Sequence, residues 1–129
     1  MSNRKIGNTF EAEFCQMLFD EGFWVHNLKQ DSSGQPADII AVRYGMAHLI
    51  DCKVCENDVF PFSRIEPNQK SAMNYWYDCG NGRGWFALQL SDKSVWMFAH
   101  TDMEDLSKKG ASINKDEIKI YGEPFREWV

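Results

Sequence analysis

The stretch GQPADIIAVRYGMAHLIDCKV, residues 34–54, decides how this chain folds. Two apolar runs, residues 39–42 and 49–50, flank Tyr44-Gly45-Met46-Ala47, so the segment reads as a β-hairpin with strands at 37–43 and 48–54. A two-residue loop at Gly45-Met46 pairs Tyr44 with Ala47, and a four-residue loop at 44–47 pairs Arg43 with His48. Either register sets Asp38 opposite Lys53. Residues directly opposite share a face of the sheet, and Asp51, two places from Lys53, takes that face too. Ile50, Cys52 and Val54 then point the other way, into the core. A slip of one residue would scatter the three charges.

Two carboxylates at the mouth of a half-buried hairpin repel each other and lose hydration. A divalent cation resolves the conflict. Mg²⁺ takes oxygen ligands, commonly one or two carboxylates with waters and a substrate phosphate. A lysine beside it can orient water or neutralise charge developing at phosphorus. The plainer alternative is an Asp38–Lys53 salt bridge at the rim of a sheet.

Working outward, Phe10, Phe14, Met17 and Leu18 recur at helical spacing before Gly22, which predicts an amphipathic helix over 8–21. FWVHNL, 23–28, reads as a strand and KQDSSGQP, 29–36, as a polar loop. Pro67 opens a helix over 67–78 that Gly80 ends. GWFALQLS and SVWMFAH are two more strands joined at Asp92-Lys93, and Thr101 with Glu104 forms a capping box for a short helix reaching about 109. EIKIY, 117–121, reads as an edge strand in a tail, 111–129, that is otherwise unassigned. The order α-β-β-β-α-β-β-α implies an α/β fold, a mixed central sheet with helices on both faces.

The 129 residues fit one domain, 1–129, with a core from about 4 to 109. No apolar run approaches the ~18 residues of a membrane helix. The opening MSNRKIGNTFEAEF lacks the apolar stretch of a signal peptide, which points to a cytoplasmic protein whose four cysteines are reduced thiols. Cys52-x-x-Cys55 does not read as a zinc site, because side chains three apart on a strand face opposite ways. His26, His48 and His100 lack ligand spacing, and Trp76, Trp85, Trp96 and Trp128 fall on apolar-patterned segments as core or dimer surface. A net charge of −5 argues against a generic nucleic-acid coat. It is compatible with a nuclease whose acidic site is offset by cations. Arg4, Lys5, Lys29, Arg64 and Lys70 supply local positive charge.

Asp38, twelve residues, then Asp51-Cys52-Lys53 resembles the PD-(D/E)XK nuclease signature. The likeness extends to the Holliday junction resolvases of the archaeal type and, more loosely, to RecU. GNTFEAEF looks like their opening helix, with Glu11 as the helix carboxylate; Glu13 is its neighbour on the other side of the stripe. The loop with Ser32 and Ser33 looks like their serine-containing loop, and FPFSRIEPNQKSAM like the RecU stretch that bears a glutamine, here Gln69. Ala37 stands where the signature has proline, Asp51 stands where most resolvases have glutamate, and no protruding RecU stalk fits between Glu11 and Asp38.

The resemblance implies a restriction-endonuclease-like fold and a Mg²⁺-dependent endonuclease (Mn²⁺ substituting) that acts on four-way or other branched DNA as a homodimer and leaves a 5′-phosphate. It implies metal held by Glu11, Asp38, Asp51 and the carbonyl of Cys52, with Lys53 assisting the attacking water and Gln69 orienting water or phosphate. Arg4, Lys5, Lys29, Ser33, Arg64 and Lys70 are the implied DNA contacts. Within the same fold, a phage- or plasmid-type nuclease acting on flaps, ends or foreign DNA is the neighbouring reading; outside catalysis it is a DNA-binding module. Dimerisation is expected through the strands around Phe86 and Trp96 or the helix at 67–78.

Overall fold

The computed structural model describes residues 3–28 and 37–129, with side chains from residue 6 onward except that of residue 8. Helix α1, Asn3–Asp20, is followed by strands β1 (Trp24–Asn27), β2 (Ile39–Arg43), β3 (Met46–Val54) and β4 (Val59–Pro61), and then by a 3₁₀ turn, Phe62–Arg64. Next come α2 (Pro67–Asp78), β5 (Gly84–Gln89), β6 (Val95–Ala99) and α3 (His100–Ser107). The chain ends in β7 (Ser112–Asn114), α4 (Lys115–Tyr121), β8 (Glu123–Pro124) and α5 (Phe125–Trp128). The main sheet runs β1-β2-β3-β5-β6-β8, and β4 and β7 form a separate pair. Only β3 and β5 are parallel within it, because the chain crosses between them through α2.

The alternation of each strand sorts its apolar residues into two cores. Phe10, Phe14 and Leu18 of α1 pack with Ile39, Ile50, Ala87 and Met97 on one face, and Phe125 and Trp128 of α5 close over them. Leu49, Phe86, Leu88 and Phe98 meet Met73 of α2, Met103 of α3 and Ile118 of α4 on the other. Gly84 lets α2 come this close. A Cβ there would stand 2.6 Å from Met73 Cγ, so any other residue pushes the helix off the sheet.

The hairpin keeps its expected faces with a different register. Arg43 pairs with Met46 and Ile39 with Ile50, so the turn is Tyr44-Gly45. Both turn residues have positive φ, 54° and 74°, as a type I′ turn requires. The pairing ends at Ile39–Ile50, which leaves Asp38 just beyond it and nearest Asp51, where Lys53 was expected. The offset is two residues, so Asp38, Asp51 and Lys53 still share a face.

Further expectations are corrected. EIKIY is helical, because Asn114 and Glu117 cap each other: Glu117 N–H donates to Asn114 Oδ1 (3.0 Å) and Asn114 N–H to Glu117 Oε1 (3.1 Å). The edge position beside β6 goes to Glu123–Pro124 instead. Helix α3 starts at His100 with Ala99 as N-cap and no side-chain cap, so Thr101 is already inside it. Phe86 is 2% exposed and belongs to the core, while α2 presents Tyr75 and Tyr77 outward.

Candidate active site

The strand pair opens where the carboxylates sit. Asp38 N–H donates to Ile50 O (3.0 Å), one residue out of step with the Ile39–Ile50 pair, and β2 stops there. Cys52 N–H donates to the Asp38 side chain, Oδ2, at 2.8 Å. Asp38 is thereby tied to β3 by its own carboxylate. Glu11 reaches the same opening from α1: its carboxyl lies within hydrogen-bonding reach of Asp38, and Asp38 within reach of Asp51. Glu11 is half-buried and Glu13 is exposed, which separates the two helix candidates.

Gln69 is aimed by its place in α2. It is the third residue after the N-cap, and its Oε1 accepts from Glu66 N–H (3.2 Å), one of the donors a helix start leaves without an intrahelical partner. With Oε1 so engaged, Nε2 faces the sheet and donates to Asp51 Oδ1 at 3.2 Å. Lys53 Nζ stands 3.1 Å from Asp51 Oδ2 and 3.5 Å from Gln69 Oε1. The ion pair joins Lys53 to Asp51, not to Asp38.

Burial dominates the electrostatics. Asp51 is 1% exposed, and desolvation, followed by the charge of Asp38, pushes its carboxyl up to about 8 against the pull of Lys53. Desolvation, partly offset by the Cys52 N–H, pushes Asp38 up to about 6. Glu11 is raised by the same cause. Asp51 Oδ2 accepts no hydrogen bond beyond its ion pair with the Lys53 ammonium at 3.1 Å. A buried, repelling, all-oxygen cluster fits a hard divalent cation. Among the described residues no three His, Cys, Asp or Glu side chains form a ready cage.

The sequence profile of the archaeal Holliday junction resolvase (Hjc) family matches residues 1–127. The chain belongs to this family. As an Hjc-family chain it has the restriction-endonuclease-like fold, and it is similar to the structure of Hjc, a Holliday junction resolvase from Archaeoglobus fulgidus, with a TM-score of 0.69. Identity is 16%, over 95% of this chain and 93% of the other. No curated protein sequence matches it.

Of the residues expected at the Hjc-type site, Glu11, Asp38, Asp51, Lys53 and Gln69 come together. Cys52 contributes its backbone N–H to Asp38, a part that the sequence reading, which offered its carbonyl as a ligand, did not foresee. Arg64 is exposed and donates to Val54 O at 2.7 Å, just past Lys53. Lys70 is exposed on α2 beside Gln69. Arg4 and Lys5 lie on α1 but their side chains fall outside the described residues, as do Lys29, Ser32 and Ser33 entirely. The bond from Glu66 N–H that aims Gln69 also went unforeseen; the spacing Glu66-x-x-Gln69 ahead of a helix was the signal for it.

Proposed function

We propose that this chain is a Mg²⁺-dependent, structure-selective DNA endonuclease that cleaves four-way junctions or related branched DNA. The observation that carries the reading is the convergence of Glu11, Asp38, Asp51, Lys53 and Gln69 at one opening in the sheet, in a chain of a resolvase family. Glu11, Asp38, Asp51 and the backbone of Cys52 would hold the cation. When bound, Mg²⁺ supplies charge neutralisation at the scissile phosphate and an acidified water, and Mn²⁺ serves in its place. Lys53, held by Asp51, keeps an ammonium at the position of the attacking water. The Gln69 amide, fixed at both ends, holds Asp51 with one Nε2 proton and has the other to donate to water or phosphate. Arg4, Lys5, Lys29, Ser33, Arg64 and Lys70 contact the DNA and position it.

A homodimer setting two such sites against paired strands accounts for symmetric cutting of a junction, and the exposed Tyr75 and Tyr77 of α2 are its contact candidates. No helix among the described residues is long and apolar enough to cross a membrane, and we assign the protein to the cytoplasm, where DNA is processed. The test is incubation of labelled four-way junction, flap, single strand and duplex with the protein, with and without Mg²⁺. Paired nicks in the junction that need Mg²⁺ are expected, with sedimentation at twice the chain mass. A protein inert on every structure would overturn the catalytic reading.

A further inference from the structure

We infer that the open groove beside the acidic cluster is a subsite for one unstacked nucleotide adjoining the cleaved phosphodiester, held against Arg64. This rests on the nuclease reading and goes beyond it in naming the form of DNA that fits. The groove, about 540 Å³, runs between Ile6 and Gly7 of α1, Val54 of β3, Val59 and Pro61 of β4, and Arg64. Cys52 lines it as well, and its N–H holds Asp38 at 2.8 Å, so groove and carboxylates meet at one residue.

The dimensions suit a group of small-molecule size, since pockets for such ligands span ~300–1,000 Å³. A duplex does not enter. The charge also argues against a backbone track: such a track needs several Lys or Arg to phosphate contacts, whereas the lining holds Arg64 together with the carboxylate of Glu56. Ile6, Val54, Val59 and Pro61 instead offer apolar wall to a base and sugar. Arg64 offers a plane. Its guanidinium is pinned by Val54 O at 2.7 Å and lies 5.7 Å from the centre of the Phe60 ring. A fixed guanidinium plane is a surface on which splayed bases stack, and the Val54 bond uses one of its five N–H donors.

Gly7 points the same way. It sits inside a helix, where glycine costs stability relative to alanine. Among the described residues neither packing nor backbone geometry demands it, for a Cβ there would meet none of them within 4 Å and φ is not positive. Its effect is to keep that wall of the groove open.

The experiment uses the full chain and a branched DNA carrying 2-aminopurine at the nucleotide beside the mapped cut. Ca²⁺ replaces Mg²⁺ while fluorescence is read, and cleavage is measured separately in Mg²⁺. Saturating wild-type protein is expected to raise the fluorescence several-fold as the base unstacks. Gly7→Leu, which fills the groove with a better helix former, is expected to melt no lower than wild type, to halve the rise and to slow cleavage at least tenfold. Arg64→Lys, which keeps the charge and loses the plane, is expected to resemble Arg64→Ala. A bound, cleaved substrate with no fluorescence rise, or Gly7→Leu and Arg64→Ala cutting like wild type, overturns the subsite and leaves the nuclease reading standing. A wild-type protein that neither binds nor cuts branched DNA removes both.

Discussion

Asp51→Asn is the sharpest perturbation, because it separates the folding cost of the site from its use. In the folded chain the Asp51 carboxyl is pushed from 3.8 up to about 8, mainly by burial. The native state therefore holds this proton more tightly than the unfolded chain between roughly pH 4 and 8, and metal-free stability falls as pH rises through that window. At ~1.4 kcal/mol per unit, the shift sets a ceiling of about 5–6 kcal/mol at pH 8. Water entering the opened hairpin and the loss of the Lys53 ion pair reduce the gain from neutralising it to about 1–3 kcal/mol. Asparagine keeps the shape and can still accept from Gln69 through Oδ1. In EDTA at pH 8, Asp51→Asn should melt about 4–10 °C above wild type, and the difference should vanish near pH 5, where Asp51 carries its proton.

Added Mg²⁺ narrows the difference. At tenfold above its Kd it stabilises wild type by about 1.4 kcal/mol and the variant by far less, while cleavage in the variant falls at least ~100-fold. The measurement is a set of melting curves at pH 5 and 8, in EDTA and in Mg²⁺, on both proteins. A variant melting below wild type at pH 8 in EDTA, or a wild-type melting point flat from pH 5 to 8, refutes the account of the cluster.

Lys53→Ala, which removes the ammonium 3.1 Å from Asp51, should lower cleavage by about two orders of magnitude with DNA affinity nearly unchanged; gel assays and anisotropy on one sample check both. Gly84→Ala drives a Cβ into Met73 and should cost about 1–3 kcal/mol in urea unfolding. It should also depress cleavage per folded molecule, because α2 carries Gln69. Trp128→Ala removes a ring stacked on Phe23 at 5.7 Å and set edge-on to Trp85 at 5.5 Å. About 2–4 kcal/mol of stability should be lost, with cleavage by the folded fraction unaltered.

The shared face of Asp38, Asp51 and Lys53 was legible because strand alternation depends on parity, which survives an error of two residues. The register was not. It hangs on Tyr44 adopting the left-handed conformation, and tyrosine announces a type I′ turn far less clearly than asparagine or aspartate before glycine. In EIKIY the alternation of Ile118, Lys119 and Ile120 suggested a strand, while Asn114 and Glu117 three residues apart carried the helix signal and decided it locally. Strands β4 and β7, three residues each, are too short to show a period. The groove was invisible for another reason: Gly7 is distant in sequence from Val59 and Arg64, and the fold alone brings them to one groove.

The two-residue turn at Tyr44-Gly45 imposes an arithmetic on any relative that keeps this site. Twelve residues separate Asp38 from Asp51, and while the turn stays tight each residue added to or taken from an arm rotates everything beyond it by half a pleat. One such change sends a carboxylate to the α1 side of the sheet; a second brings it back. Hairpins of this kind can therefore grow or shrink between their acids by even numbers, and an odd change has to be concealed as a bulge. A designer who lengthens the arms to reach more DNA inherits the same rule.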